Sequence, residues 1–212
     1  MSNRLKSLRA SVACAACAGL LLVSAGSASA ATFAPAGDSF QASSGQFTFV
    51  IGGNRYVTCS SSNFTGMVAN PASPLASISA PAIGPPPCSS SPTAGYWTAE
   101  VATAGAWKLQ AVSPTRVNLV VPSASNNVIR FYAPTYGYVC SAVLSGGSMG
   151  AANDWSNTNS TLTLSAASGP SVWITGGFPC PLSLGQTYST TVSATYAVSN
   201  TSNPGTPVTV QP

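Results

Sequence analysis

Beyond residue 30 the chain is written in alternation. Tyr188, Thr190, Val192, Ala194, Tyr196 and Val198 fall on one side of a period-two run, with Ser189, Thr191, Ser193 and Thr195 on the other. This is the pattern of an antiparallel strand with one buried and one wet face. RVNLVV (116–121) repeats it, with Val117, Leu119 and Val121 inward and Arg116 and Asn118 outward. STLTLS (160–165) and SVWIT (171–175) read likewise. FTFVI (47–51), VIRFY (128–132) and YVCSAVL (138–144) are more continuously apolar and fit central strands. Turn residues separate the runs: GG at 52–53, SGG at 145–147, SGP at 168–170 and GG at 176–177. No stretch after residue 30 combines a 3.6-residue period with caps, and charged helix formers are scarce. Short strands at short intervals predict an all-β fold. The expected form is an antiparallel immunoglobulin-like β-sandwich, as one sandwich or two joined near residues 104–115. PASPLASISAPAIGPPP (71–87) carries six prolines. It reads as a polyproline-like loop, because proline cannot donate to a ladder.

The first thirty residues read differently. Arg4, Lys6 and Arg9 precede an Ala- and Leu-rich run that ends in SAGSASA, with Ala28 and Ala30 in the A-x-A pattern. This predicts a secretory signal peptide over 1–30, cut after Ala30, and a secreted or cell-surface product. Its apolar run is shorter than the roughly 20 residues that span a bilayer, and no later stretch is long enough. Cys14 and Cys17 would leave with it. The formal net charge of +4 falls to +1, four cations against three anions, once those three cations are gone. The apparent basicity is therefore mostly a targeting signal and makes no case for nucleic acid. So few charges leave little like-charge repulsion, which favours self-association.

Four cysteines remain: Cys59, Cys88, Cys140 and Cys180. An exported chain points to two disulfides, for which three pairings exist. A repeat selects one. PCSSSPTAGYWTAEVAT begins at 87 and PCPLSLGQTYSTTVSAT at 179. The spacing matches Pro87 with Pro179, Cys88 with Cys180, Tyr96 with Tyr188, Thr98 with Thr190 and Ala102 with Ala194. The first cysteines follow the aromatic runs FVIGGNRYVTC and FYAPTYGYVC. The expected pairs are Cys59–Cys88 and Cys140–Cys180, each closing one copy of a duplicated β unit. The units are 31–112 and 113–199, with 200–212 as a flexible tail or a donor strand for a neighbour's sheet edge.

The chain has no histidine, which removes Ser-His-Asp, Cys-His and histidine-metal chemistry. Lys108 is the only lysine after residue 30 and has no S-x-x-K beside it. The three carboxylates, Asp38, Glu100 and Asp154, show no paired placement of the kind glycoside hydrolysis needs. The expectation is a protein that is not an enzyme, with no cofactor and no metal. Glu100 stands where the other copy has the inward Val192. Either Trp97, Ala99 and Val101 point inward and Glu100 is wet, or Glu100 is buried against Arg55, Arg116 or Arg130. The candidate surface-binding residues are aromatic: Tyr132, Tyr136 and Tyr138 in FYAPTYGY, and Trp155 in a polar loop. Exposed aromatics hold sugars or apolar surfaces.

The opening ATFAPAGDSFQASSG carries Pro35, Ser39, Phe40 and Ala42 ahead of a strand and the first cysteine. With the Ala-rich leader and few charges, it resembles the exported proteins called activators of alkane oxidation. That resemblance covers the N-terminal portion and the general cysteine-and-strand layout. It implies an exported, non-catalytic accessory acting at the cell surface or in a biofilm, and offers no catalytic residues. The other expectation is a structural subunit of an extracellular fibre, biofilm matrix or adhesin. The partners foreseen are a second copy, a surface or matrix component, or an apolar or glycan ligand.

Overall fold

A computed structural model describes residues 30–85, 87–91, 97–124, 126–150 and 154–212. The expected signal peptide and Cys14 and Cys17 lie outside the described residues, as does Tyr96 of the repeat. The described residues form strands and no helix. The chain enters through β1 (Thr32–Ala34), β2 (Ser39–Ser44), β3 (Phe47–Ile51), β4 (Arg55–Cys59), β5 (Ser62–Val68), β6 (Leu75–Ile78) and β7 (Ala82–Ile83). It continues with β8 (Cys88–Ser91), β9 (Trp97–Ala102), β10 (Trp107–Ser113), β11 (Arg116–Val121), β12 (Val128–Ala133) and β13 (Gly137–Leu144). It ends with β14 (Gly147–Met149), β15 (Trp155–Ser156), β16 (Thr161–Gly176), β17 (Thr187–Asn200) and β18 (Thr209–Gln211).

Eight strands close into a barrel in the order β3-β4-β8-β9-β12-β13-β16-β17, with β17 returning to β3. Two open sheets packed face to face were expected; the sheet instead curls until its last strand meets its first, which removes both edges. The order also runs as two chain-ordered sets, β3-β4-β8-β9 and β12-β13-β16-β17. Both disulfides sit in this barrel. Cys59–Cys88 joins the neighbouring strands β4 and β8, and Cys140–Cys180 ties β13 to the loop after β16. Inside lie Phe47, Phe49, Phe131 and Ile174, while Thr48, Arg130 and Trp173 point out. An apolar interior differs from the polar lumen of an outer-membrane barrel. No helix among the described residues is long and apolar enough to cross a membrane.

The two longest strands carry more than the barrel. β16 has 16 residues and β17 has 14, against a usual length of about 5–6. β17 pairs with β3 through Thr190–Ala194 and with β2 through Ala197–Asn200. β2 and β3 thus lie almost end to end along it, parted by Gly45 and Gln46. From β2 a second sheet runs β2-β5-β6-β10-β11-β14. A single bridge, Gly150 to Ser168, brings its far end back to β16. The hairpin β16–β17 is therefore a wall common to both parts.

SGP at 168–170 was expected to end a strand. It lies inside β16, which stays paired to β17 through two register shifts, between Leu164 and Ala167 and between Gly169 and Val172. There the Pro170 carbonyl accepts the buried Thr190 hydroxyl at 2.7 Å. A side chain at Gly169 would collide with that hydroxyl, so glycine permits the approach. The Pro-rich segment also differs from its reading, since β6 and β7 lie between its prolines. The prolines flank the strands rather than enter them, which leaves the ladder donors intact.

Within residues 200–212, expected as a flexible tail or a donor strand, Thr209–Gln211 form β18 against the chain's own first strand. β18 pairs antiparallel with β1, Thr32 opposite Gln211. Val208 and Val210 are buried. Asn157 donates to the Val210 carbonyl at 2.9 Å and accepts the Val210 N–H at 2.7 Å. Hydrophobic burial and this amide clamp offset the entropy that leaves most termini loose.

Candidate functional site

The FYAPTYGY hairpin builds an aromatic end on the barrel. β12 stops at Ala133, the Tyr136 N–H closes the turn onto the Ala133 carbonyl, and Gly137 takes φ +67, which suits glycine. A register shift between Phe131 and Tyr132 leaves Phe131 in the core and sets Tyr132 opposite Tyr138. Their rings meet edge to face, with centroids 6.0 Å apart. Tyr136 at the tip is 69% exposed and Tyr138 is 52% exposed.

Beside the tyrosines lies an ion pair. Glu100 of β9 faces Arg130 of β12 directly across the ladder. The Arg130 guanidinium donates to Glu100 Oε1 at 3.4 Å, and Tyr132 donates to Oε2 at 2.8 Å. Both charged side chains remain 40% exposed. The sequence left two readings for Glu100. Its outward placement follows the first, with Ala99 and Val101 buried; its partner, Arg130, is one named in the second. The hydrogen bond to Glu100, then burial, holds the Tyr132 hydroxyl above its ordinary pKa. A cleft of about 330 Å³ opens here, lined by Pro87, Thr98, Ala99, Glu100 and Tyr132. The other two carboxylates serve elsewhere. Asp38 accepts from Asn200 at 2.7 Å, and Asp154 accepts the Val117 N–H at 2.7 Å.

A second apolar feature joins the hairpin. The loop 177–186 presents Phe178 at 94% exposure, with Leu184 also exposed. The loop is held at several points. Gly177 donates to the Val139 carbonyl at 2.8 Å, Gly185 to Ile174 at 2.9 Å, and Ile174 to Gln186 at 3.0 Å. The Cys140–Cys180 bond anchors its middle. The bond from Gly177 to Val139 sets Phe178 beside the strand that carries Tyr138. One end of the barrel thus gathers Tyr136, Tyr138, Phe178 and Leu184.

Trp155 is elsewhere and is not a surface residue. It is 4% exposed, stacks edge to face on Phe33 with centroids 6.1 Å apart, and donates through Nε1 to Asn157 at 2.8 Å. Its polar neighbours suggested a wet loop, but β15 pairs with β16 and β1–β18 covers the ring. Phe178 and Leu184 escaped the sequence reading. Their signal was FPCPLSLG, an apolar run with prolines on both sides of a cysteine.

No family model matches this chain, and neither a curated protein nor a solved structure matches it.

Proposed function

We propose that this is an exported, non-catalytic β-protein that acts at the cell surface or in the extracellular matrix, like the alkane-oxidation activators that its N-terminal portion resembles. Two disulfides belong to an oxidising compartment. The observation that carries the reading is Phe178, almost wholly exposed on a covalently anchored loop. Leaving such a ring in water forgoes about 1.5–3 kcal/mol, which contact with an apolar phase recovers. The anchored loop loses little further freedom on contact. The two chain-ordered strand sets of the barrel support its origin by duplication.

The test is adsorption of residues 31–212 to hexadecane droplets, compared with a Phe178→Ser/Leu184→Ser variant. The wild type should adsorb, and the variant should lose about tenfold or more in partition. Absence of adsorption, or equal adsorption by both, would remove the basis of the proposal.

A second reading, a fibre or matrix subunit built by strand exchange, is favoured by β18. Among the described residues it pairs only with three-residue β1, and it follows an exposed connection over 201–205. Light scattering after concentration should then show oligomers. A Thr32→Cys/Gln211→Cys crosslink, which fastens β18 to its own chain, should abolish them. Monomers at every concentration argue against exchange.

A further inference from the structure

We infer that the outer face formed by Glu100, Arg130, Tyr132 and Tyr138 is a binding site for a neutral carbohydrate. A sugar ring offers two chemistries at once: a face of C–H groups, and neighbouring hydroxyls that both donate and accept. The structure holds the complement of each, side by side. Tyr138 supplies an exposed ring for the C–H face, and its edge-to-face contact with Tyr132 fixes the ring plane. Its own hydroxyl lies 3.1 Å from Ser141 Oγ, which secures it from the other end. Glu100 supplies carboxylate acceptors and Arg130 guanidinium donors, 3.4 Å apart and both open to solvent. Charge-assisted bonds of this kind are the stronger class, and an acceptor beside a donor matches a pair of adjacent hydroxyls.

Charge decides against other ligands. The pair cancels itself, so the site favours neither an anion nor a cation. A purely apolar ligand would cover both charges without replacing their hydrogen bonds with water, which is costly. The cleft of about 330 Å³ beside Tyr132 is at the lower end of the range for small-molecule sites, which suits one sugar unit of a longer chain. The residues sit on paired strands β9, β12 and β13, which hold their spacing.

This site shares Tyr138 with the aromatic end but does not use Phe178 or Leu184, so separate variants test the two readings. The test is affinity electrophoresis of residues 31–212 through gels that contain dextran, mannan, galactan or hydroxyethyl cellulose, followed by titration calorimetry with the polysaccharide that retards most. At least one polysaccharide should retard the protein. Tyr138→Ala should weaken that affinity about tenfold, while Tyr138→Phe stays within about threefold. Glu100→Gln should weaken it measurably, and Phe178→Ser should leave it unchanged. Circular dichroism melts confirm that each variant is folded. Retardation by none of the four polysaccharides overturns the assignment. So does retardation that folded Tyr138→Ala and Glu100→Gln leave intact.

Discussion

The pair Ser62 and Tyr196 offers a sharp test of how the second sheet is held. Tyr196 is fully buried on β17, its ring 5.1 Å from that of Phe64, and its hydroxyl lies 2.8 Å from the buried Ser62 hydroxyl on β5. Tyr196→Phe keeps the ring contact and removes one oxygen, so the Ser62 hydroxyl is stranded. Ser62→Ala does the converse. Leaving a buried polar group unpaired costs about 1–3 kcal/mol, whereas removing both partners is close to neutral. Each single variant should therefore lose about 1–3 kcal/mol in urea unfolding. The double variant should lose much less than their sum, with a coupling energy in the same range. A pH arm checks the burial independently. Desolvation drives the Tyr196 hydroxyl well above its ordinary value of 10.0, and the bond to Ser62 opposes this only in part. Above pH 10 the unfolded chain releases this proton while the folded chain keeps it. The folded state then binds more protons, and stability falls as pH rises. The wild type should lose about 1.4 kcal/mol relative to Tyr196→Phe between pH 8 and pH 11. Tyr132 is also raised, but it is present in both proteins and cancels in the difference. Additive single losses, together with parallel pH profiles, would refute the buried pair.

Other expectations follow from the same packing. Cys59→Ala/Cys88→Ala opens a ring of separation 29 and Cys140→Ala/Cys180→Ala one of 40, so chain entropy gives losses of about 3.6 and 3.9 kcal/mol. Only the second should create a new protease cut within 177–186, which limited proteolysis with mass mapping reads. Trp155→Ala should cost about 3–5 kcal/mol by denaturant unfolding, as a core deletion does, and leave droplet adsorption of the folded protein unchanged. Gly66→Ala drives a methyl into the Phe40 ring and Ile78 and should cost about 1–3 kcal/mol in the same assay.

Local pattern was legible wherever one strand face is buried. In β17 the alternation put Tyr188, Thr190, Val192, Ala194, Tyr196 and Val198 on one face; the last five are buried and Tyr188 is half-buried. In β11 it did the same for Val117, Leu119 and Val121. The repeat yielded the two cystine pairs. Closure was not legible, because a period of two reports which face is buried and not which strand lies beside which. The position of SGP misled for a related reason. Gly169 and Pro170 carry turn chemistry, yet here they accommodate the Thr190 hydroxyl from the partner strand, a long-range demand. Trp155 was misplaced because its neighbours in sequence are polar while its neighbours in space, Phe33 above all, come from the other end of the chain. Of the aromatic end, Tyr132, Tyr136 and Tyr138 were found from their crowding. Phe178 was not, because FPCPLSLG marks an apolar loop without marking which of its side chains stays exposed.

The long hairpin has a consequence for the order of assembly. Residues 161–200 furnish staves to both halves of the molecule, yet they come after fifteen of the other strands. Until that portion leaves the ribosome, no earlier stretch can complete either half. Truncation at residue 160 should therefore leave both halves open together, not one finished and one missing.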